Sequence, residues 1–245
     1  MVVKRISTVM VVSLLAVGCG GSGNESGPRP LTVDEASRLS AVTYQNHLQG
    51  IARFELFTVA DAGGPQVTMR GLVDWTSGSG RAEVAVASEN STLAEVAWSG
   101  EYVAERRPNL DQVLRERGVQ TPAYVIRAAQ PGRRLDDIIR IVAALASRSP
   151  DNQLLIRQTE GSSYLRDDEL RGEATEVLRY GERSIYWISK VSGALLRFEG
   201  NAKNNQLPIV IDLYPTSSES VVLPAPENSI DLRSVPDLQY LLNDF

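Results

Sequence analysis

Apolar and polar residues alternate over long stretches of this chain, and turn-forming residues separate the alternating stretches. In one such stretch, the apolar residues Val67, Met69 and Val73 all have odd numbers, and the polar residue Thr68 has an even one. A period of two residues is typical of a β-strand with one buried face, because successive side chains point to opposite sides of the sheet. Residues 51–106 therefore predict an antiparallel meander of about five strands joined by tight turns.

The same alternation returns in the second half of the chain. We expect further strands at residues 153–159, 172–180, 184–190, 194–200 and 208–214. Val191, Ser192 and Gly193 separate two of these strands and predict a tight hairpin between them. The acidic run at residues 167–169 is more typical of a solvated turn.

Other segments have helical patterns. Thr32 and Glu35 form a capping box, in which the two residues satisfy each other's backbone N–H groups at the start of a helix. Residues 110–117 predict a second helix, and residues 135–147 carry a broad stripe of apolar side chains at helical spacing. Residues 237–245 are expected to form a short terminal helix. Strands and helices together predict an α+β fold.

The N-terminus has the build of an export signal. Lys4 and Arg5 precede a run of apolar and small residues that ends at Cys19. This run is shorter than the ~20 apolar residues that span a bilayer, so we expect residues 1–18 to be a signal peptide. Residues 19–31, rich in Gly, Ser and Pro, are expected to be the anchor point and a flexible linker. Residues 32–245 then form a single domain.

The end of that segment, Leu14-Leu-Ala-Val-Gly-Cys19, resembles the lipobox of bacterial lipoproteins. In that family the cysteine thiol receives a diacylglycerol and becomes the mature N-terminus, which implies a lipid anchor at Cys19. The resemblance also implies that the protein is attached to the outer face of the cytoplasmic membrane through its acyl chains, palmitate among them. The alternative is an ordinary signal peptide that carries a cysteine near its cleavage site.

Composition restricts the partners of the protein. The chain has a net charge of −5, which falls to about −7 when Lys4 and Arg5 leave with the signal peptide. Phosphate backbones are bound by clustered Lys and Arg, so we expect no nucleic-acid partner. Cys19 is the only cysteine, which leaves none for an intramolecular disulfide. The protein is expected to be monomeric.

No arrangement of residues predicts an active site. His47 is the only histidine, so a Ser-His-Asp triad and a His/Cys metal site both have too few candidates. The carboxylates have no spacing that nominates a glycosidase-like pair. We therefore expect no catalytic residues, no metal and no cofactor, and an envelope hydrolase is the least favoured hypothesis.

Three tryptophans, Trp75, Trp98 and Trp187, fall on predicted strands. Two interpretations fit this placement: all three belong to the core of one sheet, or some line a cavity beneath the helix at residues 135–147. Periodicity indicates which face of a strand is dry, but not whether side chains or a ligand fill the space beside it. Both interpretations stay open at this point.

Three segments resemble the superfamily of lipoprotein carriers that includes LolA-like proteins and the mycobacterial LppX and LprG lipoproteins. They are residues 71–75, 171–180 and 185–198. The resemblance implies a strongly bent antiparallel sheet, an unclosed half-barrel whose concave face is covered by helices and holds acyl chains. We place the lining of that cavity at Met69, Trp75, Trp98, Ile138, Val142, Trp187 and Phe198.

The resemblance implies a non-enzymatic protein that binds or carries a lipid, a lipoglycan or another acylated ligand in an apolar cavity. The alternative is a protein-interaction or regulatory lipoprotein of the cell envelope, whose sheet is fully packed and holds no ligand. The two hypotheses differ in one measurable respect, because only the carrier takes up fatty acids.

Overall fold

The structure is a computed structural model. It describes residues 27–60, 63–87, 91–100, 102–120, 123–201, 207–216 and 218–242. Cys19 and the predicted signal peptide lie outside these residues, as does Phe245 at the end of the predicted terminal helix.

Twelve described strands form one sheet. In chain order they are β1 (Ile51–Val59), β2 (Gln66–Asp74), β3 (Ser79–Val86), β4 (Ser91–Ser99), β5 (Tyr102–Arg106), β6 (Tyr124–Ala128), β7 (Ser163–Leu170), β8 (Glu173–Tyr180), β9 (Ser184–Ser189), β10 (Leu195–Asn201), β11 (Pro208–Pro215) and β12 (Ser229–Asp231). Across the sheet their order is β12-β6-β5-β4-β3-β2-β1-β11-β10-β9-β8-β7, and only the β12–β6 pair is parallel. The edge strands β12 and β7 are not neighbours in this order, so the described sheet is an unclosed half-barrel, which confirms the predicted fold class.

The described helices are α1 (Val33–Gln49), α2 (Pro108–Glu116), α3 (Arg134–Ala144) and α4 (Gln153–Gln158). α1 begins at the predicted capping box: Thr32 Oγ1 accepts from the Glu35 N–H at 3.2 Å, and Glu35 accepts from the Thr32 N–H at 2.8 Å. Apolar side chains of α1 and α3 pack on one face of the sheet, which we call the concave face. The opposite face is the convex face.

Two local predictions are wrong. Residues 153–158 form α4 rather than a strand, because Asn152 Oδ1 accepts from the N–H groups of Leu154 and Leu155 and caps a helical turn. The acidic run at residues 167–169 lies on β7 rather than in a turn, because its backbone pairs with β8. The alternation in the sequence also did not predict β6.

The end of the predicted linker is part of the folded body. The backbone of Arg29 exchanges hydrogen bonds with that of Tyr164 on β7, at 3.0 and 2.9 Å. The Arg29 guanidinium pairs with Glu35 at 2.7 Å and lies over the Tyr164 ring. Leu31 is buried in the core. The described chain therefore enters the body beside the β7 edge of the sheet.

The C-terminal part of the chain crosses the convex face to the other edge of the sheet. Residues 218–225, which we call the strap, line a cavity together with residues of β1 to β4, and Glu219 pairs there with Arg53 of β1 at 2.6 Å. β12 then pairs with β6 and forms the edge of the sheet. The chain continues into a 3₁₀ helix, Pro236–Leu242, whose leucines pack against α2 in a second, smaller core.

Candidate functional site

Most of the predicted cavity residues lie together on the concave face. They share one cluster of buried apolar side chains, whose predicted members are Met69, Trp75, Trp98, Ile138, Val142 and Phe198. Met69 of β2 and Ile138 and Val142 of α3 are all 0% exposed. Because side chains of β2 and α3 meet without solvent between them, this face is dry and closed in the structure.

Trp187 is not brought together with the other six. The register of the sheet places it directly opposite Arg197, whose own neighbour on β11 is Asp212, so its side chain lies on the convex face. Its Nε1 donates to Glu199 at 2.7 Å. The ring packs against Leu165 and Val177, in a cluster separate from the main core.

The C-terminal end of α3 is attached to the rest of the fold by two hydrogen bonds. Trp75 Nε1, just after β2, donates to the carbonyl of Val142 at 3.0 Å. Asn46 Nδ2 of α1 donates to the carbonyl of Leu145 at 2.7 Å. Carbonyls in the last turn of a helix lack the N–H four residues further on that a longer helix supplies. These two donors complete their hydrogen bonding, and Val142 also accepts from the Leu145 N–H at 3.3 Å.

A buried ion cluster fixes the N-terminal end of α3. Asp136 accepts two hydrogen bonds from Arg127 of β6, both at 2.6 Å. Glu105 of β5, which is 0% exposed, accepts from Arg127 at 2.8 Å, from Arg107 at 2.9 Å and from Arg133 at 3.3 Å. α3 therefore begins at a charged contact with β5 and β6, and its middle turns are apolar.

The cluster also reaches the C-terminal segment and shifts two pKa values. Arg107 and Arg133 both donate to the carbonyl of Leu242. Burial acts to lower the pKa of Arg127, but hydrogen bonding to Asp136 and the nearby carboxylates outweigh it, and the pKa is raised. At Arg133 burial has the larger effect, and the pKa is lowered. The start of α3 thus depends on charges that are removed from water.

A buried donor on the concave face, Trp98 Nε1, has no hydrogen-bond acceptor among the described residues. The Trp98 ring covers Gly80, where a Cβ would lie 2.0 Å from a ring atom, and its centroid is 6.3 Å from that of Phe54. A buried N–H without a partner costs on the order of 1–3 kcal/mol. The closed form of the concave face therefore leaves one buried donor unsatisfied.

The convex face carries a cavity that the sequence analysis did not predict. Its volume is about 950 Å³, and it lies between the sheet and the strap. Leu72, Arg81 and Ala97 form part of the sheet side, and Leu223 and Pro224 form part of the strap side. One residue in the sequence indicated this cavity: Leu72 is apolar, whereas the other residues of β2 that face the same side of the sheet are polar.

A second cavity, of about 530 Å³, lies beside the β6 edge of the sheet, near Ile126 and Leu232. Among the described residues there is no group of three His, Cys, Asp or Glu side chains placed to hold a metal ion. No helix in that part of the chain combines the length and apolarity needed to cross a bilayer. His47 lies in the last turn of α1.

No family model matches this chain, and no curated protein does. Several solved structures are similar to it. Lipoprotein LppX of Mycobacterium tuberculosis is 10% identical, with a TM-score of 0.46 over 78% of this chain and 100% of its own. LprF of Mycobacterium bovis is 14% identical, with a TM-score of 0.44 over 80% of this chain and 98% of its own. A LolA superfamily protein of Nitrosomonas europaea is 9% identical, with a TM-score of 0.28 over 80% of this chain and 96% of its own.

Proposed function

We propose that the protein is a non-enzymatic lipoprotein of the cell envelope that binds the acyl chain of a lipid or acylated ligand between its concave face and α3. The observation that carries this proposal is Trp98, a buried donor without an acceptor among the described residues, set in an otherwise apolar face. An ester or amide carbonyl at the head of an acyl chain supplies the missing acceptor. The chain itself replaces apolar contacts now made by α3.

Loading requires α3 to move, since Ile138 and Val142 are fully buried in the closed form. The movement breaks contacts at one end of α3 first: its C-terminal end is held by two neutral hydrogen bonds, whereas the N-terminal end is held by buried ion pairs. Each CH₂ of the ligand that leaves water contributes about 0.8 kcal/mol, so a long acyl chain offsets the contacts that opening breaks.

The proposed membrane attachment rests on Cys19. Gly27, where the described body begins, is eight positions after Cys19, and a chain of that length reaches at most about 28 Å. The acylated protein would therefore hold the β7 edge close to the outer face of the cytoplasmic membrane. Metabolic labelling with radioactive palmitate tests this: the native chain takes up label and Cys19→Ser does not. An unlabelled native chain would contradict the anchor.

Ligand binding is tested with Trp98→Phe, which removes the indole N–H and keeps an aromatic ring. A fluorescent fatty acid is loaded into the full chain and displaced with monopalmitoylglycerol, which has an ester carbonyl, or with hexadecane, which has none. A hydrogen bond of about 1 kcal/mol predicts that Trp98→Phe raises the dissociation constant of the ester about fivefold, after correction for the affinity of the fluorescent fatty acid in each variant. The dissociation constant of hexadecane, corrected in the same way, should not change.

Trp187→Phe is the matched control, because Trp187 lies on the convex face. It should leave both displacement curves unchanged. Equal effects of the two variants on the ester, or no uptake of fatty acid by the native chain, would contradict lipid binding at the concave face.

A second candidate function is a protein-interaction or regulatory lipoprotein that holds no ligand. The complete burial of Met69, Ile138 and Val142 favours it, because a fully packed sheet is what this hypothesis predicts. Tryptophan fluorescence distinguishes the two candidate functions. Fatty acid should change the emission of Trp75 and Trp98 in a lipid carrier and leave it unchanged in a protein without a cavity.

A further inference from the structure

The cavity on the convex face is lined by both charged and apolar side chains. We call it the strap groove: it lies between the strap and strands β1 to β4 and has a volume of about 950 Å³. Cavities that bind small molecules commonly measure ~300–1,000 Å³. Leu72 is only 6% exposed although it lies on the convex face, because the strap covers it. The groove is therefore a formed space whose floor combines apolar side chains with charged ones.

Most charged side chains in the strap groove already have partners. Arg53 pairs with Glu219 of the strap at 2.6 Å, and Arg70 pairs with Glu55 at 2.5 Å. Glu95 accepts from Tyr124 at 2.8 Å and also pairs with an arginine of β5. Glu83, the remaining carboxylate of the lining, accepts from the Thr92 hydroxyl.

Arg81 differs from these residues. It is exposed, and the structure records no hydrogen bond or ion pair for its guanidinium with any described residue. The sheet register places it directly between Leu72 on β2 and Ala97 on β4. Side chains opposite one another on neighbouring strands share a face, so the Arg81 side chain starts between two apolar residues that provide no counter-charge. Its charge acts on Tyr124 and on Glu219 of the strap, but Glu219 is already paired with Arg53.

We propose that the strap groove binds a small amphipathic acid, with its carboxylate or phosphate on Arg81 and its apolar part between Leu72, Ala97 and Leu223. A guanidinium presents a fork of N–H donors that matches either acid group. The carboxylates of the lining are already hydrogen-bonded, so the group left to recognise a ligand is the cation. This site lies on the opposite face from the acyl site proposed above and does not depend on it.

The test is isothermal titration of the full chain with three probes below their micelle concentrations: dodecanoate, dodecyl phosphate and dodecanol. Arg81→Gln should weaken binding of the anions by about tenfold or more, because charge-assisted hydrogen bonds to the guanidinium are lost. Dodecanol binding should not change. Binding of only one of the two anions supports the site and identifies the acid group it recognises.

Arg148→Gln is the matched control, since Arg148 is also an exposed arginine but does not line the groove. It should bind all three probes as the native chain does. The proposal is overturned if the native chain binds neither anion, or if Arg81→Gln binds them unchanged. Anion binding that Trp98→Phe weakens and Arg81→Gln does not would place the probe on the concave face instead. That outcome rejects the strap groove while leaving the acyl site intact.

Discussion

Gly80 shows how one missing side chain shapes the concave face. A Cβ at this position would lie 2.0 Å from the ring of Trp98, and Phe54 packs beside that ring. Alanine would therefore force the indole out of its place in a packed core. We expect Gly80→Ala to lower the free energy of unfolding by about 3 kcal/mol, measured by urea denaturation.

The control for this variant is Gly27→Ala, because a Cβ on Gly27 meets nothing within 4 Å. Its free energy of unfolding should stay within about 0.5 kcal/mol of that of the native chain. If Gly80→Ala were equally mild, the indole would be free to move aside. Trp98 would then not be the fixed donor that the proposed acyl site requires.

Glu35 makes stability depend on acid pH. The hydrogen bond from Arg29, opposed by burial and aided by bonds from Thr32, lowers the pKa of Glu35 from its ordinary 4.5 to about 2. A carboxyl with a lowered pKa in the folded state stabilises the fold fully above its unfolded pKa, and this contribution is lost as the pH falls toward the folded pKa. Stability should therefore decrease between pH 4.5 and 2.

Unfolding curves recorded through this pH range check the prediction. Glu35→Gln should flatten the decrease, because a neutral amide takes up no proton. Arg29→Gln should flatten it as well, because Arg29 is the main cause of the lowered pKa. Parallel stability curves for Glu35→Gln and the native chain would show that the acid sensitivity comes from another group.

At the scale of elements, long alternating segments were predictable and short charged ones were not. β1 and β2 have nine residues each, which is enough repeats of the two-residue period to define each strand and its buried face. α4 has only six residues, and two of its apolar side chains, Leu154 and Leu155, point into solvent. Its helical state comes from the Asn152 cap, which a pattern of apolar residues does not reveal.

β7 was missed for a different physical reason. It is an edge strand, and its residues Asp167 to Glu169 place charged side chains on both faces at this edge, which discourages pairing with other chains. The capping box at Thr32 and Glu35 was predicted correctly, because both halves of that motif lie within four residues of sequence. A complete local motif was thus predictable, whereas a single capping residue and the position of a strand within the sheet were not.

The ion cluster at the start of α3 should dominate the stability of that helix. Arg127 is charged and buried, and it has two carboxylate partners. Asp136→Asn removes one of them. Removing one member of a buried ion pair typically costs about 3–5 kcal/mol. We expect a loss of this size in denaturant unfolding, together with faster amide hydrogen exchange in α3.

Asp137→Asn provides the comparison within the same turn. Asp137 pairs with Arg140, whose side chain is 55% exposed, and accepts from the Gly132 N–H at 3.2 Å, so its partners face solvent although Asp137 itself is 15% exposed. Solvent-exposed pairs contribute about 0–1 kcal/mol, and the variant should unfold almost as the native chain does. Similar losses for Asp136→Asn and Asp137→Asn would mean that burial adds nothing to the cluster.

At the scale of the whole molecule, the sequence predicted a bent sheet with covering helices but not the relation between its faces. Trp187 was predicted to lie with the concave residues because alternation shows only which residues within one strand share a face. Its face is decided by the register that links β9 to β10 and β11, which is set over long sequence distances. The strap groove was unpredictable for the same reason, since a Ser- and Pro-rich segment has no periodicity that indicates where it lies.

The molecule has two main cores, and the smaller one should open first. The main core joins α1 and α3 to the concave face, whereas the smaller one joins the C-terminal 3₁₀ helix to α2 through Leu110, Leu114, Leu238 and Leu242. Leu238 is 0% exposed, so Leu238→Ala should cost about 2–5 kcal/mol at this core. The loss should release β12 and the end of the strap without unfolding β1 and β2.

Hydrogen exchange measured by mass spectrometry resolves the two cores. In Leu238→Ala, amides of residues 229–242 should exchange much faster, while those of β1 and β2 keep their native protection. Tyr240→Ala is the control, because Tyr240 is 62% exposed and its removal leaves the smaller core intact. Uniformly faster exchange in Leu238→Ala would mean that the two cores unfold as one unit. In that case the strap could not leave the convex face while the half-barrel stays folded, and a ligand of the strap groove would have to enter past a closed strap.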